Sequence, residues 1–137
     1  MEPLTEEELA FLQGCFDLAR DGDPQLPSLV DEGLPVNLTN SKGDTLLILA
    51  AYHQHADLVA ALLARGADTE RVNDNGQTAL ASACFRRNAA IVGLLLDAGA
   101  DPATGERSAI AICEYFDLPE MLELLNAPAS SAAPPAG

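Results

Sequence analysis

The chain has 137 residues, of which 48% are hydrophobic and only 4% aromatic, and this suits one domain with an aliphatic, alanine-rich core. A formal net charge of −14 repels phosphate backbones and argues against nucleic-acid binding. No apolar run reaches the roughly 18 residues of a membrane span, and Glu6, Glu7 and Glu8 stand where a secretory signal would carry positive charge.

The first unit covers about residues 5–36. Residues 1–35 hold nine acids against Arg20 alone, a net of −8. Leu26, Leu29, Val30 and Gly33 supply an apolar face and a stop. Pro24 and Pro27 predict a short or irregular second helix, with Gln25 at the place that Leu58 and Ile91 hold in later units. From Gly33 onward the sequence repeats every 33 residues, through Gly66 and Gly99, Gly43 and Gly76, and Thr45 and Thr78. Such a period marks a solenoid, in which each unit buries its apolar face against its neighbours.

The second unit, residues 37–69, opens with a polar turn that ends at Gly43. One helix is predicted from about Asp44 to His53 and a second from Ala56 to Ala64. On the latter Leu58, Val59, Leu62 and Leu63 share a face. The third unit, residues 70–102, copies this with a turn ending in Asn75-Gly76 and with Ile91, Val92, Leu95 and Leu96. Gly66 and Gly99 provide the left-handed stop that ends the second helix of each pair. Residues 36–105 carry a net of −2, from seven acids and five bases.

The fourth unit, residues 103–126, fits the third at a spacing of 30. Ser108-Ala109-Ile110-Ala111 replaces Thr78-Ala79-Leu80-Ala81, so its turn is three residues shorter, and Asn126 stands where Leu96 would be. Both ends therefore read as polar capping repeats. Residues 106–137 add a net of −4, and the Ala/Pro/Ser tail at 127–137 is expected to be disordered.

The run Asn73-Asp74-Asn75-Gly76-Gln77-Thr78-Ala79-Leu80 leads to Gly99-Ala100-Asp101. LLARGAD, from Leu62 to Asp68, returns as LLDAGAD, from Leu95 to Asp101. Over residues 37–103 this pattern resembles the ankyrin repeat family. The resemblance implies an all-α solenoid over residues 1–126, with about four helix-turn-helix repeats joined by β-turn fingers. It also implies a non-catalytic protein that binds other proteins through a concave groove and its finger tips. Two departures stand out. The family's TPLH is Thr45-Leu46-Leu47-Ile48 and then Thr78-Ala79-Leu80-Ala81, which lacks the histidine that usually bonds between repeats. The glycine that the family places after the first helix is Gln54 and Arg87 here, so those turns are expected to be strained or built differently.

Residues that could carry chemistry have simpler readings. His53 and His55 are two apart and point to different faces of a helix, which makes a poor chelate. Cys15, Cys84 and Cys113 match no metal spacing and suit a reducing, cytoplasmic compartment. Cys84 and Cys113 fall at small-residue positions between packed helices. Asp68 and Asp101 are the acids of GAD and order their loops in the family. No cofactor is expected.

The aromatics differ. Of six, four fall at two adjacent register positions, where Tyr52-His53, Phe85-Arg86 and Tyr115-Phe116 correspond. Phe85 lies about 100° around the helix from the packed Cys84. Tyr52, Phe85 and Tyr115 are thus expected to form one row on the concave side, in line with Asp44, Gln77 and Arg107. The expected partner-binding set is Lys42, Asp44, Tyr52, His53, Asp74, Asn75, Gln77, Phe85, Arg86, Arg107, Tyr115 and Phe116. The fingers at residues 40–44 and 74–77 are included. The expected partner is another protein, with no nucleic acid and no membrane involved, and the chain is taken as a monomer. Two versions compete. One is an adaptor or scaffold. The other is a dedicated inhibitor or immunity-type protein that masks a basic enzyme surface, toward which the acidic charge would steer it.

Overall fold

A computed structural model describes residues 5–126, and the expected tail at 127–137 lies outside them. The described residues form eight helices and no strand. They are α1 (Glu6–Asp21), α2 (Gln25–Asp31), α3 (Leu46–Tyr52), α4 (Ala56–Ala64), α5 (Ala79–Phe85), α6 (Ala89–Asp97), α7 (Ala109–Tyr115) and α8 (Pro119–Asn126). Consecutive helices pack as pairs. Within the stack α1, α3, α5 and α7 neighbour one another as an inner layer, and α2, α4, α6 and α8 as an outer one.

The inner helices are set by their caps. The Thr45, Thr78 and Ser108 hydroxyls accept from the Ile48, Ala81 and Ala111 N–H groups at 3.0, 3.1 and 3.1 Å. Each cap satisfies an amide that the helix itself leaves open, and it fixes where the helix begins. This shifts the expected start of the second unit's first helix from Asp44 to Leu46. Helices of seven residues are too short to persist alone. They hold because Leu46, Leu47, Leu80 and Ala83 are buried to within 1% of complete, against Leu58, Val59, Leu62, Ile91 and Leu95 of the outer layer. Each large side chain so buried stabilises the stack by ~1.5–3 kcal/mol.

The turns between paired helices all use a left-handed residue: Gly22, Gln54, Arg87 and Asp117, with φ of 69°, 65°, 58° and 54°. Gln54 and Arg87 therefore keep the family's backbone without its glycine, at a cost of ~1–2 kcal/mol each. The first of these turns precedes the second by 32 residues, not 33. Leu26, fully buried, consequently takes the place of Leu58, and Gln25 is exposed, contrary to the register expected from Gly33. α2 has seven residues, against nine in α4 and α6. Gly22 has a second role. A Cβ there would meet the His55 ring at 2.5 Å, and His55 Nε2 lies 2.6 Å from the Arg20 carbonyl oxygen. His55 thereby latches the end of α1 to the start of α4.

Candidate interaction groove

The fingers repeat one hydrogen-bonded design. Asn40 Oδ1 accepts from the Lys42 and Asp44 N–H groups, both at 2.9 Å, and the Asn40 N–H donates to the Asp44 carbonyl at 3.0 Å. Asn73 does the same one unit later, accepting from the Asn75 and Gln77 amides at 3.0 and 2.9 Å. An Asx side chain that satisfies two amides makes a turn rigid without help from a core.

Adjacent fingers are then tied together. The Asp74 N–H donates to the Lys42 carbonyl and the Arg107 N–H to the Gly76 carbonyl, both at 2.9 Å, while Asn73 Nδ2 donates to Asp44 Oδ1 at 2.8 Å. These bonds couple the units although the family's TPLH histidine is missing. The fourth finger lacks three residues and closes through Gly105, whose φ is 93°. A Cβ there would come 2.5 Å from the Gly76 carbonyl oxygen, so only glycine permits this approach.

Between the fingers and the inner helices runs an open cleft of about 700 Å³. Lys42, Asp44, Asn75, Gln77, Tyr52, His53 and Phe85 from the expected set line it. A second depression of about 520 Å³ continues past Phe85, lined by Gln77, Arg107, Tyr115 and Phe116. Asp74 lines neither and stands exposed on its finger. Arg86 reaches the cleft by lying over the Tyr52 ring, with its guanidinium carbon 5.1 Å from the ring centroid.

Sequence reasoning missed the cleft's first wall. Leu9, Leu12, Gln13, Phe16 and Arg20 of α1 line it. α1 has 16 residues where the other inner helices have seven, and its opening turns stand beside the second unit's finger. The i, i+3, i+7 spacing of Leu9, Leu12 and Phe16, after a Thr5/Glu8 capping box, is the signal that reveals it.

The rings form a chain rather than a straight row. Tyr52 stacks on Phe85 at 6.1 Å between centroids and 12° between planes. Phe85 then meets Phe116 edge to face at 5.6 Å, and Phe116 meets Tyr115 at 4.9 Å. Phe116, one register step beyond, thus takes the place beside Phe85 that Tyr115 was expected to hold. The same offset puts Arg86 on Tyr52. In both cases the residue after the helix leans back onto the ring of the preceding unit. Phe85 is 38% exposed and packs against two rings, whereas Tyr115 is 82% exposed. The chain of rings therefore both stiffens the groove and offers free apolar surface, and the two tasks fall on different residues.

His53 packs edge-on against Tyr52 at 5.2 Å. Partial burial, and then the neighbouring His55, Arg20 and Arg86 charges, hold its pKa below the usual histidine value. Cys84 and Cys113 are fully buried beside each other, and burial pushes the Cys84 thiol far above the usual range, which removes the thiolate a nucleophile needs. Among the described residues no group of His, Cys, Asp and Glu could hold a metal ion, and no helix is long and apolar enough to cross a membrane.

The model of the ankyrin repeats (three copies) matches residues 16–105. A Pseudomonas aeruginosa protein named for its ankyrin repeats is 54% identical over 57 residues, a stretch covering 41% of this chain and 33% of that protein. The chain thus spans about a third of the length of that curated relative. Among solved structures the ankyrin repeat domain of human ASB11 superposes with a TM-score of 0.71 at 30% identity. That match covers 81% of this chain and 52% of the solved one. With this match on top of capped helix pairs and bonded fingers, the chain belongs to the ankyrin repeat family.

Proposed function

We propose that the chain is a non-catalytic adaptor that holds a segment of a partner protein in the groove between its fingers and inner helices. Ankyrin repeats are in general protein-interaction modules. One observation carries the finer reading. Tyr115, 82% exposed, continues a line of rings through Phe116 and Phe85 to Tyr52 with Arg86 on its face. Aromatics with a neighbouring arginine on an otherwise polar surface are the usual composition of a binding hot spot. An inhibitor that masks a basic surface would work through the acidic first unit instead, where Glu6, Glu7 and Glu8 open α1. Three buried free thiols support a reducing, cytoplasmic setting, and we take the chain to act as a monomer.

The test is quantitative affinity capture from the cells that make the protein. Wild type, a Phe85→Ala/Tyr115→Ala double variant and an outer-layer control, Leu124→Ala, are compared. A genuine partner is retained by wild type and the control and lost from the groove variant. A partner retained equally by all three would move the binding surface off the groove.

A further inference from the structure

We infer that the groove selects an acidic partner segment bearing a large apolar side chain, an inference that rests on reading the groove as a protein-binding surface. The argument is the distribution of charge. The chain holds seven Lys and Arg against 21 Asp and Glu. The groove reverses that ratio. Its two depressions are lined by Arg20, Lys42 and Arg107, Arg86 lies over the Tyr52 ring between them, and the only acid among their lining residues is Asp44. Three lining cations, with Arg86 beside them, thus face one lining acid, while Glu7 and Glu8 line an adjoining depression that meets the groove at Leu12.

Asp44 is already engaged, accepting the 2.8 Å bond from Asn73. Among the cations, Arg86 donates to the Gln54 side-chain oxygen at 3.0 Å. The ion pairs among the described residues are Arg20–Asp17, Arg65–Asp31 and Arg71–Asp68, so Lys42, Arg86 and Arg107 take no part in them. All three of these are exposed. Asp74 and Glu106 stand at the finger tips and set the outer limit of the positive zone.

A basic segment laid in the groove would bring its charges against these cations. Like charges placed together across an interface are strongly unfavourable. An acidic segment would meet Arg86 and Arg107, whose planar forks suit carboxylates, with Phe85, Phe116 and Tyr115 between them to take an apolar side chain. Glu6, Glu7 and Glu8 at the start of α1 stand at the first end of the groove and limit that segment to the stretch from α3 to α7.

The probe is a displayed library of random peptides of about twelve residues, a length that can run along several repeats in extended form. It is selected on the whole chain. Asp and Glu should be enriched alongside Phe, Tyr, Trp or Leu. A synthetic peptide from that pool should lose about tenfold or more in affinity for Arg86→Glu or Arg107→Glu, both exposed positions, with Arg107→Gln losing less. Enrichment of Lys and Arg, or indifference to Arg86→Glu and Arg107→Glu, overturns this inference. It leaves the groove reading standing if Phe85→Ala/Tyr115→Ala still weakens the selected peptides. Selected peptides that bind the Phe85→Ala/Tyr115→Ala variant as well as wild type, or no enrichment at all, overturn both.

Discussion

Leu62 of α4 and Leu95 of α6 share one register position and are fully buried, while Val30, their counterpart in α2 at the 32-residue spacing, is only partly so. All three side chains are branched and aliphatic. What differs is company: α4 and α6 are covered on both sides along the stack, whereas α2 has a neighbour on one side only. A repeated sequence therefore does not give repeated energies, because each unit's core is completed by the next. The first pair compensates differently. It shortens its outer helix and lengthens its inner one from seven residues to 16, and the added turns wall the groove instead of filling a core.

Truncation tests this contrast most strongly. Leu62→Ala and Leu95→Ala each leave a cavity between covered helices and should cost ~2–5 kcal/mol in urea unfolding, enough to unfold so small an array. Leu9→Ala and Leu124→Ala, at positions 46% and 37% exposed, should each cost less than ~1 kcal/mol. Equal losses at the middle and the ends would show that the stack does not depend on shared interfaces in this way.

The inter-helix turns sharpen it further, with smaller effects of the opposite sign. Arg87→Gly and Gln54→Gly place a glycine at φ of 58° and 65° and should raise the urea midpoint by the equivalent of ~0.5–1 kcal/mol each. Gly22→Ala should do the reverse, since its Cβ would press on the His55 ring and loosen the latch between α1 and α4. A loss of stability in Arg87→Gly would mean that the side chain contributes more than the strain it causes.

The smallest effect is on pH. His53 has a lowered pKa in the folded protein, so as pH falls the unfolded chain takes up the proton first. Stability should therefore decline modestly as pH drops below ~6.5, and His53→Phe should flatten that slope. An unchanged slope in the variant would place the titration elsewhere.

The helix pairs were legible because their signals are local and repeated: threonines at a fixed period, Leu-rich faces at helical spacing and stop glycines at Gly66 and Gly99. Alignment left the turns at Gln54 and Arg87 as either strained or built differently, and the positive φ at both residues decides for the first. Other features depend on contacts that no period encodes. The 32-residue spacing from Gly22 to Gln54 breaks the period, and it moved Leu26 into the place assigned to Gln25. The ring order Tyr52, Phe85, Phe116, Tyr115 reflects how far a side chain leans between units, which register counts do not contain. The positive lining was hidden by the net charge, since a total of −14 says nothing about which side of the stack carries the seven cations.

The central claim is that this chain works through its inner groove and not through its outer layer. Hydrogen–deuterium exchange, followed by mass spectrometry with and without a captured partner, addresses it directly. The account predicts slowed exchange on binding in residues 40–54, 73–87 and 105–116, with α4 and α6 exchanging as in the free protein. Slowing confined to α4 and α6, with the fingers unchanged, would contradict it.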